Sequence, residues 1–195
     1  MSEEGKINSS ESVRLQIFQK IIATYYILYV EKDLDKSFRI MQESITLFDN
    51  KKELISEELI TYTTLHANML VIAGRTKNEK AFFLSLKKLR EINDSQRNKL
   101  SPKQRASIFE HSYVSEFSYY IRKINFEKIN TSIDAVIKGM EEYKNSLNEI
   151  NRNILIVNTG IMLYGDNQRK QALQWFLKLI NQDDIKTVSY THLTL

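Results

Sequence analysis

Apolar positions recur along this chain with the period of an α-helix. Leu15, Phe18, Ile22, Tyr25 and Tyr29 step by three or four residues each time and so line one helix face. Ala172, Leu173, Phe176, Leu177 and Ile180 follow a similar stripe near the other end. The pattern predicts helical segments at roughly 10–31, 34–48, 52–73, 77–92, 102–124, 126–146, 150–165 and 168–181, behind a disordered lead of residues 1–9. Within each pair the connection is a few mostly polar residues: Lys32-Asp33, Arg75-Thr76-Lys77, 123–125 and Asp166-Asn167. Connections that short force antiparallel neighbours.

Start signals support the segmentation. Asn50 with Glu53, and Thr76 with Glu79, have the spacing of capping boxes, in which a side-chain oxygen takes an orphan amide and the acid reaches back. Ser101-Pro102-Lys103-Gln104 is the strongest: Ser caps, Pro sits at the first helical position where its missing N–H is harmless, and Gln closes the box. The chain's single proline therefore starts a helix and breaks none.

The pairs repeat. In Asn158 to Ile180, Gly160 and Ala172 are small where two helix axes would cross, and Phe176 fills the space beside them. Asn167 sits between the helices, and Asn tolerates a left-handed backbone. Gly160, Leu163, Ala172 and Phe176 fall where a tetratricopeptide repeat places its small residue, first-helix apolar residue, crossing alanine and second-helix aromatic. This pair resembles that family, with Arg169 departing from the usual aromatic. Ser37 and Ile129 take the alanine position in earlier pairs, and either Ala81 or Phe82 does so in another. Positions 37, 82, 129 and 172 stand 45, 47 and 43 residues apart, longer than the family's usual repeat. Residues 15–186, with stretches such as SEFSYYIRKINFEK and KQALQWFLKLI, also resemble uncharacterised helical-repeat proteins of Bacteroidetes. The resemblance implies an all-α fold, an α-solenoid of about four antiparallel helix pairs over 10–186 with a period near 45, and it brings no catalytic motif.

Residues 187–195, TVSYTHLTL, break the pattern with strand-like alternation. Back-translated, Val188 to Leu195 resembles the transposon end and adapter of sequencing libraries. The expectation is a non-native tail on a fragment of a longer protein. The last helix, with Trp175 and Leu179, should then show apolar surface for a next unit that NQDDIK opens, capped by Asp183 or Asp184.

Composition narrows the chemistry. The chain is 42% hydrophobic and 27% charged, with only 5 Gly and 1 Pro, which fits long helices better than the many turns of a β fold. There is no cysteine, so disulfides and thiolate metal sites are excluded, which is compatible with a cytoplasmic location. The most apolar run, Ile21 to Val30, is too short to span a bilayer. Neither His66, His111 nor His192 has a partner at metal-binding spacing, and no phosphate loop, nucleophile elbow or zinc-protease motif occurs. His66 and Trp175 read as packed residues. Glu57-Glu58 and Glu141-Glu142 are adjacent on helices and read as diverging, solvated faces. Net charge is +4, and the densest basic stretch, Lys87 to Arg105, reads as cations favouring a helix C-terminus, not as a nucleic-acid footprint.

These readings point to a non-catalytic protein-protein interaction scaffold, without cofactor, metal, nucleic-acid or membrane partner. The alternative is a ligand-sensing or regulatory arm of a longer protein. If first helices line a concave face, Tyr26, Tyr29, Arg75, His111, Arg122 and Tyr164 point into it and would hold a partner protein or peptide, unless the tyrosines pack between successive units.

Overall fold

Four residues with left-handed backbone turn the chain back on itself. Lys32 (φ 60°), Lys77 (58°), Ile124 (53°) and Asn167 (62°) are the only described residues with positive φ. They stand 45, 47 and 43 residues apart, and each lies five residues ahead of position 37, 82, 129 or 172. The interhelix role expected of Asn167 is thus observed, and three residues less suited to it do the same work. At three of the four turns, the amide after the left-handed residue reaches back five residues: Asn78 to Ala73 (2.9 Å), Asn125 to Tyr120 (3.0 Å) and Gln168 to Leu163 (2.8 Å). That is the closure of a Schellman turn. At the first turn, Asp33 reaches back six, to Ile27 (3.3 Å). The extra residue comes from a π-helical turn, Ile27–Glu31.

The structure is a computed structural model that describes residues 3–180, with side chains from residue 12 and without those of Ile129 and Thr131. The expected caps Asp183 and Asp184, and the tail 187–195, lie outside the described residues. Among the described residues the fold is all helical. The α-helices are α1 (Glu3–Tyr26), α2 (Leu34–Asp49), α3 (Lys52–Glu57), α4 (Leu59–Arg75), α5 (Glu79–Ser95), α6 (Pro102–Arg122), α7 (Ile133–Glu142), α8 (Glu149–Gly165) and α9 (Arg169–Ile180). Short 3₁₀ segments cover Arg97–Lys99 and Phe126–Thr131. The backbone is helical from Glu3, well ahead of residue 10. The helices cluster into two compact units divided inside α6, between Ser112 and Tyr113.

Two residues expected to start helices end them instead. Asn50 ends α2, its amide bonded to Thr46 O, and Thr76 ends α4. α3, which Asn50 was expected to start, has Lys51 at its N-cap and no side-chain cap; α5 is capped by Asn78, whose Oδ1 accepts from Ala81 N (3.0 Å), and α2 by Asp33, whose Oδ1 accepts from Lys36 N (2.8 Å). Asn78 and Asp33 each stand directly after a left-handed turn, so turn and cap form one device. The Ser101 box is as expected: Gln104 N donates to Ser101 Oγ (3.3 Å) and Ser101 N donates to Gln104 Oε1 (2.8 Å).

In the first unit α1 packs on α2, α2 on α4, and α4 on α5. Thr24 and Ser37 are fully buried where α1 meets α2, with Ser37 Oγ donating to Thr24 O (3.4 Å). Small side chains permit that approach, and Ile17 of α1 and Ile27 of the π-helical turn complete the inner face. The stripe Leu15, Phe18, Ile22, Tyr25 and Tyr29 lies on the outer face instead. The segment expected at 52–73 breaks at Glu58 (φ −115°, ψ 38°). Glu57 and Glu58 therefore converge on Arg14, at 2.7 and 3.2 Å, and do not diverge.

The second unit has its core in Phe117, Val136, Ile156, Met162, Leu163, Ala172 and Trp175. α8 packs on α9 as the pattern predicts: a Cβ on Gly160 would overlap the Phe176 ring, so the missing side chain makes room for that aromatic. Gly165 does the same for Phe126. Trp175 is buried, as its reading as a packed residue has it, and Leu179 packs against the same core, so neither contributes the apolar surface expected of the last helix. The α9 stripe is split: Ala172 is buried and Phe176 half-buried, whereas Leu173, Leu177 and Ile180 face water. The segment expected at 126–146 is a 3₁₀ turn followed by short α7, and turns fill 143–146.

Candidate interaction surface

The outer face of α1, continued by the π-helical turn after it, carries an exposed apolar stripe. Leu15, Ile22 and Tyr29 are 59, 69 and 70% exposed, and Phe18 and Tyr25 lie between them. The 3-4-3-4 spacing keeps these residues on one side of the helix. From Leu15 to Tyr29 the stripe runs about 21 Å.

Tyr25 ties this stripe to α4. Its ring stacks on Tyr29, with centroids 6.2 Å apart and planes within 7°. Its hydroxyl accepts from Asn68 Nδ2 at 2.6 Å. Asn68 in turn belongs to a shallow groove of about 120 Å³, bordered by Ile60 and Thr64 of α4 and by Gln104, Ser107 and His111 of α6. On α4, positions 60, 64, 68, 71 and 75 step by three or four, so Ile60, Thr64, Asn68, Val71 and Arg75 share the outward edge. Ile60 and Val71 are exposed there.

Of the six residues singled out in the sequence, the structure joins two through intermediaries. Tyr29 stacks on Tyr25, Tyr25 bonds Asn68, and Asn68 borders the groove of His111. His111 keeps access to water, while desolvation against the groove walls holds its imidazole below the ordinary pKa and Glu110 opposes the shift. Arg75 stands exposed at the end of α4, and Tyr26 is exposed beside the stripe, about 100° round the helix from Tyr25. Arg122 and Tyr164 are exposed in the second unit, where the Arg169 guanidinium lies 6.0 Å from the Tyr164 ring. Sequence reasoning missed Asn68, and it placed Tyr25 in the stripe without its hydroxyl contact. The signal for Asn68 was a polar residue at helical spacing from Ile60, Thr64 and Val71.

Other groups serve packing. His66 is buried, with Nδ1 3.1 Å from Ser85 Oγ and its ring edge-on to Tyr62 at 4.7 Å. Desolvation drives its pKa down to about 4. Ser132 Oγ donates to buried Glu116 at 3.0 Å. Among the described residues no three His, Asp or Glu side chains gather as a metal site would require, and no helix is long and apolar enough to cross a membrane. Comparison with protein-family models, with curated proteins and with solved structures gave no match.

Proposed function

We propose that this chain is a non-catalytic interaction scaffold of tetratricopeptide-like helix pairs, an α-solenoid, and that the outer faces of α1 and α4 hold an amphipathic helix of a partner protein. The observation that carries the reading is the exposed 3-4-3-4 apolar stripe of α1, running beside the outward edge of α4. Large apolar side chains at seam spacing fit a helical occupant, whose own positions step by three or four. Tyrosines at its end, one of them tethered by Asn68, suit an anchor because they add contact area with little entropy to lose. The common register of the four left-handed turns supports a repeat architecture.

Site-specific photocrosslinking tests this. A photoreactive amino acid placed at Ile22 or Val71 should capture one partner, through a segment with apolar residues at helical spacing. The same probe at Arg39, exposed on α2, should not. A synthetic peptide of the captured segment should bind the chain and lose about tenfold or more in affinity on Ile22→Asp, an exposed change that spares the fold. Equal capture at all three positions, capture of nucleic acid, or capture of a second copy of the chain alone would each refute the reading.

A further inference from the structure

A separate cavity of about 360 Å³ opens where α3 breaks into α4 and where α5 runs into the 3₁₀ segment Arg97–Lys99. Ile55, Leu59, Tyr62 and Ile92 give it an apolar lining, the last three being buried. Tyr62 donates its hydroxyl to Asp49 Oδ1 at 2.5 Å. Burial, followed by that bond, raises the phenol pKa far above its ordinary range, so the hydroxyl stays protonated and Asp49 stays engaged.

Three ammonium groups from three elements border this lining: Lys52 of α3, Lys88 of α5 and Lys99 of the 3₁₀ segment. Among the described residues none of the three has a carboxylate within ion-pair distance. Lys99 reaches Ser56 Oγ across the mouth, at 2.8 Å. The second acid at the rim, Glu91, has the cation of Lys87 at 3.7 Å. The basic stretch Lys87 to Arg105 therefore does not do what its pattern suggested. α5 has no basic residue in its last turn, so the helix dipole does not explain Lys87, Lys88 and Arg90. Instead Lys88 and Lys99 meet Lys52, brought from 36 residues earlier by the α3–α4 break.

We infer that this cavity binds a small organic anion with an apolar body, of the fatty or aromatic carboxylate kind. The lysines would take the carboxylate, and Ile55, Leu59 and Ile92 the hydrocarbon. The volume lies within the range of small-molecule sites, which are mostly apolar with a few convergent polar groups. This goes beyond the interaction surface and gives the ligand-sensing expectation a place to act. It does not rest on the α1 stripe, and Ile22→Asp should leave it intact.

The test is calorimetric titration of the full chain with octanoate, octanamide and inorganic phosphate. Octanoate should fill one site, weakening as salt rises. Octanamide, the same body without the charge, should bind at least about tenfold more weakly, and so should octanoate to Lys88→Gln or Lys52→Gln. These lysines lie at the rim, so far-UV circular dichroism of the variants should match the parent. Phosphate should not compete with octanoate. Equal binding of octanoate and octanamide, an unchanged affinity in both lysine variants, competition by phosphate at octanoate-like affinity, or no octanoate binding at millimolar concentration would each overturn the proposal.

Discussion

His66 should make the first unit acid-labile, and the amount follows from its surroundings. The imidazole is enclosed by α4 and α5, touching Ser85 and Tyr62, and it titrates near 4 when folded against an ordinary 6.5. Desolvation is the main cause, with Lys88 adding to it and Asp49 opposing. Because the folded pKa is depressed, the unfolded chain binds the proton more readily between these two values. Stability is therefore whole above about pH 6.5 and falls as pH drops toward 4, approaching a loss of roughly 3 kcal/mol at 1.36 kcal/mol per unit. Between pH 7 and pH 5 the linkage relation gives a loss of about 2 kcal/mol, a large share of the 5–15 kcal/mol of an ordinary domain. Carboxylates titrate over part of the same range, so the informative quantity is a difference. Urea unfolding at pH 7 and pH 5, followed by circular dichroism, should be run on the parent and on His66→Gln, which cannot take up the proton. The stability advantage of the parent should shrink by about 2 kcal/mol at the lower pH. An NMR titration placing His66 above pH 6 in the folded protein would refute the reasoning, and so would a difference that does not change with pH.

Two further outcomes test the packing and the left-handed turns. Gly160→Ala should cost about 1–3 kcal/mol by thermal or urea unfolding, because the new methyl group must displace the Phe176 ring; adding Phe176→Leu should return part of the loss, and strict additivity would disprove the contact. Ile124→Gly should stabilise by roughly 1 kcal/mol, since a β-branched side chain at φ 53° is strained and 77% exposed, so it has little packing to lose; a fall in melting temperature would refute the strain argument.

The fold was legible where the local pattern and the tertiary structure ask for the same thing. Ser101-Pro102 starts α6 and Asn167 turns left-handed because each requirement is written within a few residues, and Gly160 admits Phe176 within one pair of helices joined by a short turn. One cap slipped by two residues where a polar run offered several candidates: in Arg75 to Asn78, both Thr76 and Asn78 can cap, and only the left-handed Lys77 decides for Asn78. The break at Glu58 involves neither Gly nor Pro and left no local signal. The stripe of α1 was legible as a face, but periodicity says that apolar residues share a side of a helix and not which side meets water. The buried side was set by α2, through Ser37 against Thr24. Tyr25 with Asn68, and Lys52 with Lys88 and Lys99, are meetings across long stretches of chain, and no local spacing encodes them.

That outward stripe has an energetic consequence for any partner. Full burial of a large apolar side chain is worth roughly 1.5–3 kcal/mol. The five stripe residues are between 36 and 70% exposed, so a partner helix covering them gains about half of that from each, on the order of 5 kcal/mol. Association itself costs at least about 4 kcal/mol in lost translational and rotational freedom. The α1 stripe alone would then hold a partner no better than weakly, and a useful affinity needs the neighbouring edge of α4 as well. Val71 is the sharpest test of this: it is 54% exposed on that edge, and Val71→Asp puts a charge on it without emptying the core. If the partner helix lies across both faces, Val71→Asp should weaken the photocrosslinked peptide as much as Ile22→Asp does, about tenfold or more by fluorescence anisotropy. If Ile22→Asp abolishes binding while Val71→Asp leaves it unchanged, the occupant is seated on α1 alone, and the two-helix surface is wrong.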